Sequence, residues 1–155
     1  MRRLLISALA VPLLLAAPAR ADDDWAPPVT DAVVKKECGD CHMAFQPAFL
    51  PARSWRVMMG GLRDHFGDNA TLPEDTVTHI RVYLEANAGD VIGRGVGRDF
   101  TRRIPADAAP QRITETREFL REHRFSDSVW KRPDVVTKSN CVACHPAAER
   151  GHYED

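Results

Sequence analysis

Methionine all but disappears from this chain: its four copies are Met1, Met43, Met58 and Met59, and none follows. Any group bound by the second half of the chain therefore takes no thioether ligand from that half. Cysteine is as sparse, with four copies crowded into two five-residue stretches, which excludes a disulfide framework spread along the chain. Aromatic residues make up 7% of the chain against 28% charged residues, so side chains alone offer a modest core. The formal net charge is only −1, without the basic surplus that nucleic-acid binding needs. Beyond the N-terminal segment no apolar run approaches the roughly 20 residues of a membrane span. No segment alternates convincingly between apolar and polar residues, which leaves helices and loops.

The four cysteines stand in Cys38-Gly-Asp-Cys41-His42 and Cys141-Val-Ala-Cys144-His145. Both read C-x-x-C-H, the attachment signature of c-type haem. Two thiols at that spacing add across the two vinyl groups of one porphyrin, and the adjacent imidazole turns inward to the iron. A thioredoxin-like C-x-x-C needs one motif within a βαβ pattern and no histidine. A shared zinc site is the plainer alternative, but about a hundred residues separate the pairs and the tight finger spacing is missing. The reading is two covalently bound haem c groups, held by Cys38 and Cys41 and by Cys141 and Cys144, with His42 and His145 on the irons.

The N-terminus supplies a compartment for that chemistry. Arg2 and Arg3 precede an apolar run from Leu4 to Ala17, and Ala19-Arg20-Ala21 forms an A-x-A cleavage site before Asp22, the pattern of a secretory signal. The run is short for a bilayer span and is broken by Pro12 and Pro18. Export to a periplasm fits covalent haem attachment. Loss of this segment removes three arginines and no acid, so the formal charge moves from −1 to about −4.

The coarse organisation is a signal at 1–21, a flexible leader at 22–29, an N-terminal haem lobe at 30–88, a linker at 89–111 and a C-terminal haem lobe at 112–155. The fold class is mainly α with little or no β-sheet, two small haem-binding lobes, the first like a class I cytochrome c. Thr30 caps a helix that delivers the first motif. The stretch from Gln46 to Arg53 forms a loop over the haem edge. Ser54 caps a helix carrying Trp55, Met58, Met59, Leu62 and Phe66 at helical spacing. Thr71-Leu-Pro-Glu74 is a capping box for a helix through Val77, Ile80, Tyr83 and Leu84. The linker is rich in Gly, Arg and Pro; Arg94, Arg98, Arg102 and Arg103 could meet haem propionates or an acidic partner, or lie in solvent. Thr114 caps a helix reaching His123.

The sixth ligand of each iron decides between a closed carrier and an open site. Met43 lies too close to His42 to reach the opposite face, and Met58 and Met59 read as core. His65 follows a helix that can cross the first haem, with Gly60-Gly61 permitting close approach. His123 lies one turn after Phe119 on the apolar side of its helix. His79 falls away from its helix's apolar face, and His152 stays on the proximal side of the second haem. Two alternatives remain: His65 serving the second haem, or His79 serving the first.

The chain resembles the small periplasmic dihaem cytochromes c, the DHC family. The resemblance rests on Cys38-Gly-Asp-Cys-His-Met-Ala-Phe-Gln-Pro-Ala-Phe-Leu-Pro-Ala-Arg-Ser-Trp55, Asp64-His-Phe-Gly67, Arg112-Ile-Thr-Glu-Thr116, Glu122-His123, Asn140-Cys-Val-Ala-Cys-His145 and Ala148-Glu-Arg-Gly151. It spans nearly all of the chain after the signal. It implies a two-lobed helical fold with low-potential bis-histidine haems, His42 with His65 and His145 with His123. It further implies electron transfer to a small oxygen-binding monohaem cytochrome, often beside a membrane cytochrome b. The expectation is an electron carrier with no catalytic residues. Its rivals are a haem peroxidase or reductase with one open distal site, and a haem-free zinc or thiol module.

Overall fold

The computed structural model describes residues 24–154; the expected signal and the first two residues of the leader lie outside them. Seven helices are joined by short 3₁₀ turns: α1 (Ala32–Gly39), α2 (Ala52–Gly60), α3 (Glu74–Ala86), α4 (Gly89–Ile92), α5 (Gly95–Thr101), α6 (Arg117–Glu122) and α7 (Asp127–Trp130). The fold is mainly α, and the described residues hold no sheet, only isolated bridges between Trp25 and His152 and between His65 and Asp68.

Local chemistry shifts the caps from the expected positions. Asp31 rather than Thr30 caps α1, its Oδ1 accepting from the N–H groups of Val33 and Val34 at 2.9 and 3.0 Å. The Thr30 N–H instead reaches across to the Tyr83 hydroxyl at 2.9 Å. α2 begins at Ala52 behind Pro51, whose fixed φ suits a helix start, and Ser54 is buried inside it. The Thr71–Glu74 capping box does not form, because the Thr71 hydroxyl donates to Asn69 Oδ1 at 2.6 Å. Thr116, not Thr114, caps α6 by accepting from the Phe119 N–H at 3.3 Å.

Two cores fill the molecule. In the first, Val34, Leu50, Trp55, Met59, Ile80 and Leu84 pack α1, α2 and α3 together, each large buried side chain contributing about 1.5–3 kcal/mol. The second gathers Ala26, Ala48, Phe49, Phe100 and Phe119. Ile113 is packed against both and joins them.

Three expected loops belong to this packing. The stretch from Gln46 to Pro51 is buried throughout rather than draped over an edge, and Trp55 Nε1 donates to the Pro47 carbonyl at 2.9 Å. The expected linker contains α4 and α5, and Phe100 meets Phe49 edge to face at 4.8 Å. The glycines there serve close approach: a Cβ on Gly89 would lie 2.1 Å from the Ala48 carbonyl oxygen. Arg53 holds the following loop by donating to the carbonyls of Ala108 at 2.6 Å and Pro105 at 2.8 Å. Arg98 and Arg102 both pair with Asp99. The expected leader is anchored over residues 24–29. Ala26 is fully buried, its N–H donates to the Gly151 carbonyl at 2.8 Å, and the Tyr153 N–H donates to the Asp24 carbonyl at 3.0 Å.

That last contact makes a sharp prediction. Gly151 has φ +84°, and a Cβ there would lie 1.9 Å from the Ala26 carbonyl oxygen, whereas Gly93 at φ +59° has open space around its Cβ position. Gly151→Ala should cost about 3 kcal/mol or more, through strain plus overpacking, and Gly93→Ala about 1–2 kcal/mol from backbone strain alone. Urea unfolding followed by circular dichroism checks this; equal losses would show that the contact with residue 26 carries no weight.

Candidate metal centres

The first centre is delivered by α1. Cys38 occupies its last turn, and Cys41 and His42 follow directly. Burial, with Glu37 adding to it, pushes the Cys38 thiol up to about 11, while Cys41 is exposed. A carbonyl oxygen can only accept, so the His42 Nδ1 donates to the Met43 carbonyl at 2.7 Å. That fixes the tautomer and leaves Nε2 with its lone pair for a metal. The His42 ring stacks on Phe45 with centroids 4.9 Å apart.

His65 arrives by a different route. The 3₁₀ turn Leu62–Asp64 continues from α2, and a tight reversal then pairs the backbones of His65 and Asp68 through bonds of 2.7 and 3.2 Å. The reversal needs left-handed backbone at Phe66 (φ 58°) and Gly67 (φ 104°), stabilised where Asp64 Oδ1 accepts from the Gly67 N–H at 3.0 Å. Burial first, and then the nearby His42, hold the His65 imidazole below its ordinary value and so toward the neutral form that ligates metal. The His42 and His65 ring centroids are 6.1 Å apart, with planes 23° apart.

The second centre repeats the design with other elements. His145 follows the 3₁₀ turn Cys141–Ala143, its N–H bonded to the Cys141 carbonyl at 2.8 Å. Asn140 anchors the start of that turn by donating to the carbonyls of Asp134 and Val135 at 3.2 and 3.0 Å. Burial pushes the Cys141 thiol up to about 11, and Cys144 is exposed. His123 terminates α6, and its Nδ1 donates to the Phe119 carbonyl at 3.1 Å. Its ring lies flat on Phe119, centroids 4.0 Å apart and planes within 9°. The His123 and His145 centroids are again 6.1 Å apart, with planes at 77°. A cleft lined by Phe45, Phe119, Trp130, Val135 and Tyr153 surrounds them.

The repeated separation tests the cofactor. Two axial imidazoles, each bonded to a central metal at about 2 Å, have ring centroids about 6 Å apart. Both pairs meet that spacing, each has its cysteine pair in sequence beside one imidazole, and His42 and His123 present Nε2. The donors therefore fit haem iron. A zinc site needs three or four clustered donors, and no group of three His, Cys, Asp or Glu side chains suited to a metal occurs among the described residues.

The other candidates fall elsewhere. His79 Nε2 pairs with Asp31 Oδ2 at 2.8 Å, on the outer side of α1 and α3. His152 is exposed and bridged through its backbone to Trp25. Met59 is buried in the first core with Met58 packed against it. Sequence reasoning missed Phe45, which stacks on His42 and also lines the second cleft. Its position four residues after Cys41 was the available signal. It missed Tyr153 and Gln46 as well, whose partners are more than a hundred residues away.

A family model described as dihaem cytochrome c matches residues 34–153. Among solved structures, the chain is similar to a dihaem cytochrome c from Rhodobacter sphaeroides at 42% identity and a TM-score of 0.74, over 82% of this chain and 99% of that one. It is similar to a DHC purified from Rhodobacter sphaeroides at 39% identity and a TM-score of 0.62, over 81% and 98% of the two chains. A dihaem cytochrome of type c from Shewanella baltica OS155 shares 34% identity with a TM-score of 0.64, over 79% and 86%. No curated protein matches the chain significantly.

The helix that carries His123 has a pH-dependent support. Glu118 in its first turn is buried. The Arg121 guanidinium, hydrogen-bonded to it at 2.5 and 3.3 Å, holds its carboxyl below the usual carboxylate range. A carboxylate depressed on folding stabilises the protein fully above its unfolded value, about 4.3, and the contribution fades as pH falls through the folded value. Glu118→Gln should therefore flatten the loss of thermal midpoint between about pH 5 and pH 3. A wild-type slope retained in the variant would show that the pair contributes nothing.

Proposed function

The chain belongs to the dihaem cytochrome c family, and on that premise we propose that it carries electrons in the periplasm through two irons, each held between two histidines. Two covalently bound c-type haems and a role in electron transfer come with the family. We assign the thioethers to Cys38 and Cys41 and to Cys141 and Cys144. His42 with His65 would hold one iron, and His145 with His123 the other. The observation that carries this reading is the common 6.1 Å separation of the two ring pairs.

Bound in this way, each haem supplies a one-electron couple between ferric and ferrous iron. The chain's own residues tune that couple. Two imidazoles with no thioether favour the ferric form more than a His/Met pair does, and the absence of methionine after Met59 leaves the second lobe no alternative. The Met43 and Phe119 carbonyls hold the Nδ1 protons of His42 and His123, so both rings keep one tautomer through the redox cycle. Phe45 touches His42 and lines the cleft of the other centre, which supports a short path between the two sites. A histidine pair on each iron would leave no coordination site open to substrate, which supports the carrier reading.

The lobes at 30–88 and 112–155 would each house one haem, with 89–111 packed between them. Cys41 and Cys144 are exposed, so one thiol of each pair is open to the porphyrin that it would hold. No helix among the described residues is long and apolar enough to cross a membrane. A membrane cytochrome b as donor and a small oxygen-binding monohaem cytochrome as acceptor therefore enter as docked proteins.

Visible and near-infrared absorption of the oxidised and reduced holoprotein, with carbon monoxide added to the latter, tests the ligand set. The wild type should be wholly low-spin, lack a methionine-to-iron charge-transfer band and bind no carbon monoxide. His65→Met and His123→Met should each change one haem and raise its potential, and His79→Gln should change neither. Carbon monoxide binding to one haem as isolated would overturn the proposal in favour of an open, enzyme-like site.

A further inference from the structure

The two centres share a ligand set and a separation, yet their ring planes differ: 23° apart for His42 and His65, 77° apart for His123 and His145. Building on the bis-histidine reading, we infer that the two irons are electronically unlike, the second having a strongly anisotropic ferric ground state, and that Phe119 is the positioning residue responsible.

Each axial imidazole donates π density into the iron orbital perpendicular to its own plane. Nearly parallel planes load the same orbital, separate the two dπ levels and quench orbital momentum. Nearly perpendicular planes raise one level each, so the pair stays close in energy and the magnetic anisotropy is large. Rotation about a metal–nitrogen bond is soft, so the surrounding protein sets the plane.

At the second centre that control comes from both sides. The His123 ring lies face to face with Phe119, and its Nδ1 is bonded to the Phe119 carbonyl. One residue thus fixes both the tilt and the rotation of the imidazole. Phe125 meets the same ring edge-on at 6.0 Å, which opposes rotation from another direction. His145 packs against Tyr153 at 5.5 Å and 61°. Tyr153 is itself held by its hydroxyl on Gln46 and by an edge-to-face contact with Phe49 at 5.0 Å. Turning His123 parallel to His145 would drive it into the Phe119 ring. At the first centre the His42 plane follows Phe45, 25° away, and His65 meets Phe66 at 57° with no flat stack. Nothing there forces the pair apart.

Electron paramagnetic resonance of the fully oxidised holoprotein at low temperature reads the planes directly. Two low-spin signals of one haem each are expected: a rhombic one with three resolved g values, and one dominated by a single feature at markedly lower field. Phe119→Leu, which keeps bulk but removes the stacking face, should move the low-field feature toward the rhombic position and leave the other signal unchanged. Phe119→Tyr, which restores the face, should return the wild-type spectrum. Two rhombic signals in the wild type would overturn the inference with the bis-histidine reading intact. A high-spin signal would overturn that reading and the inference together. An unmoved low-field feature in a folded, low-spin Phe119→Leu protein would overturn the role of Phe119; if that variant does not fold, the wild-type spectrum still decides the angle.

Discussion

A single buried amide ties the two halves of this molecule together. Gln46 is fully buried four residues beyond the first haem histidine, and both ends of its side chain are used. Nε2 donates to the Ala148 carbonyl at 2.7 Å, and Oε1 accepts from the Tyr153 hydroxyl. Both partners belong to the segment that follows the second haem motif. An amide buried without partners costs about 1–3 kcal/mol, so satisfying both ends of Gln46 favours the arrangement in which the segment after the second motif lies against the segment after the first. Phe45 and the turn Pro47–Phe49 flank it, and they reach His42 on one side and the second cleft on the other. The relation between the centres therefore depends on a strictly local sequence whose partners are distant.

That division explains what could be read from sequence. The C-x-x-C-H pairs were legible because the chemistry is confined to five consecutive residues. His65 and His123 stood out as candidate ligands because methionine is missing from the second half and few histidines remain, and each ring lies 6.1 Å from a motif histidine. Helix interiors followed the 3.6-residue period, as with Trp55, Met59 and Ile80. Caps were harder, since adjacent Thr30 and Asp31, or Thr114 and Thr116, are chemically equivalent candidates and the choice falls to tertiary contacts such as Tyr83 on Thr30. The segments read as leader and linker concealed their packing for a different reason. Pro near Ala26 and Gly at positions 89 and 97 signal irregular chain locally, but here they permit backbones to approach one another. Close approach is a property of two segments and leaves no mark on either alone.

The scarcity of aromatics has a matching resolution. Those present are concentrated at the candidate centres: Phe45, Phe119, Phe125, Trp130 and Tyr153 lie around the second, and Phe66 lies beside His65 with the Arg112 guanidinium 4.0 Å above it. Phe66 and Phe125 are about half exposed, and each ring lies against a candidate ligand, His65 and His123 respectively. Two porphyrins supply the surface that the amino acids do not. Of the arginines of the 94–103 stretch, Arg98 and Arg102 pair with Asp99 in α5.

The pairing of residues 24–26 with residues 151–153 also sets an order of events. Contacts between such distant parts of a chain carry the largest loop-closure cost and form late. Clasping residues 24–26 to residues 151–153 closes nearly the whole described chain into one loop, so the chain freedom lost at that step is the largest single loop-closure cost in the fold.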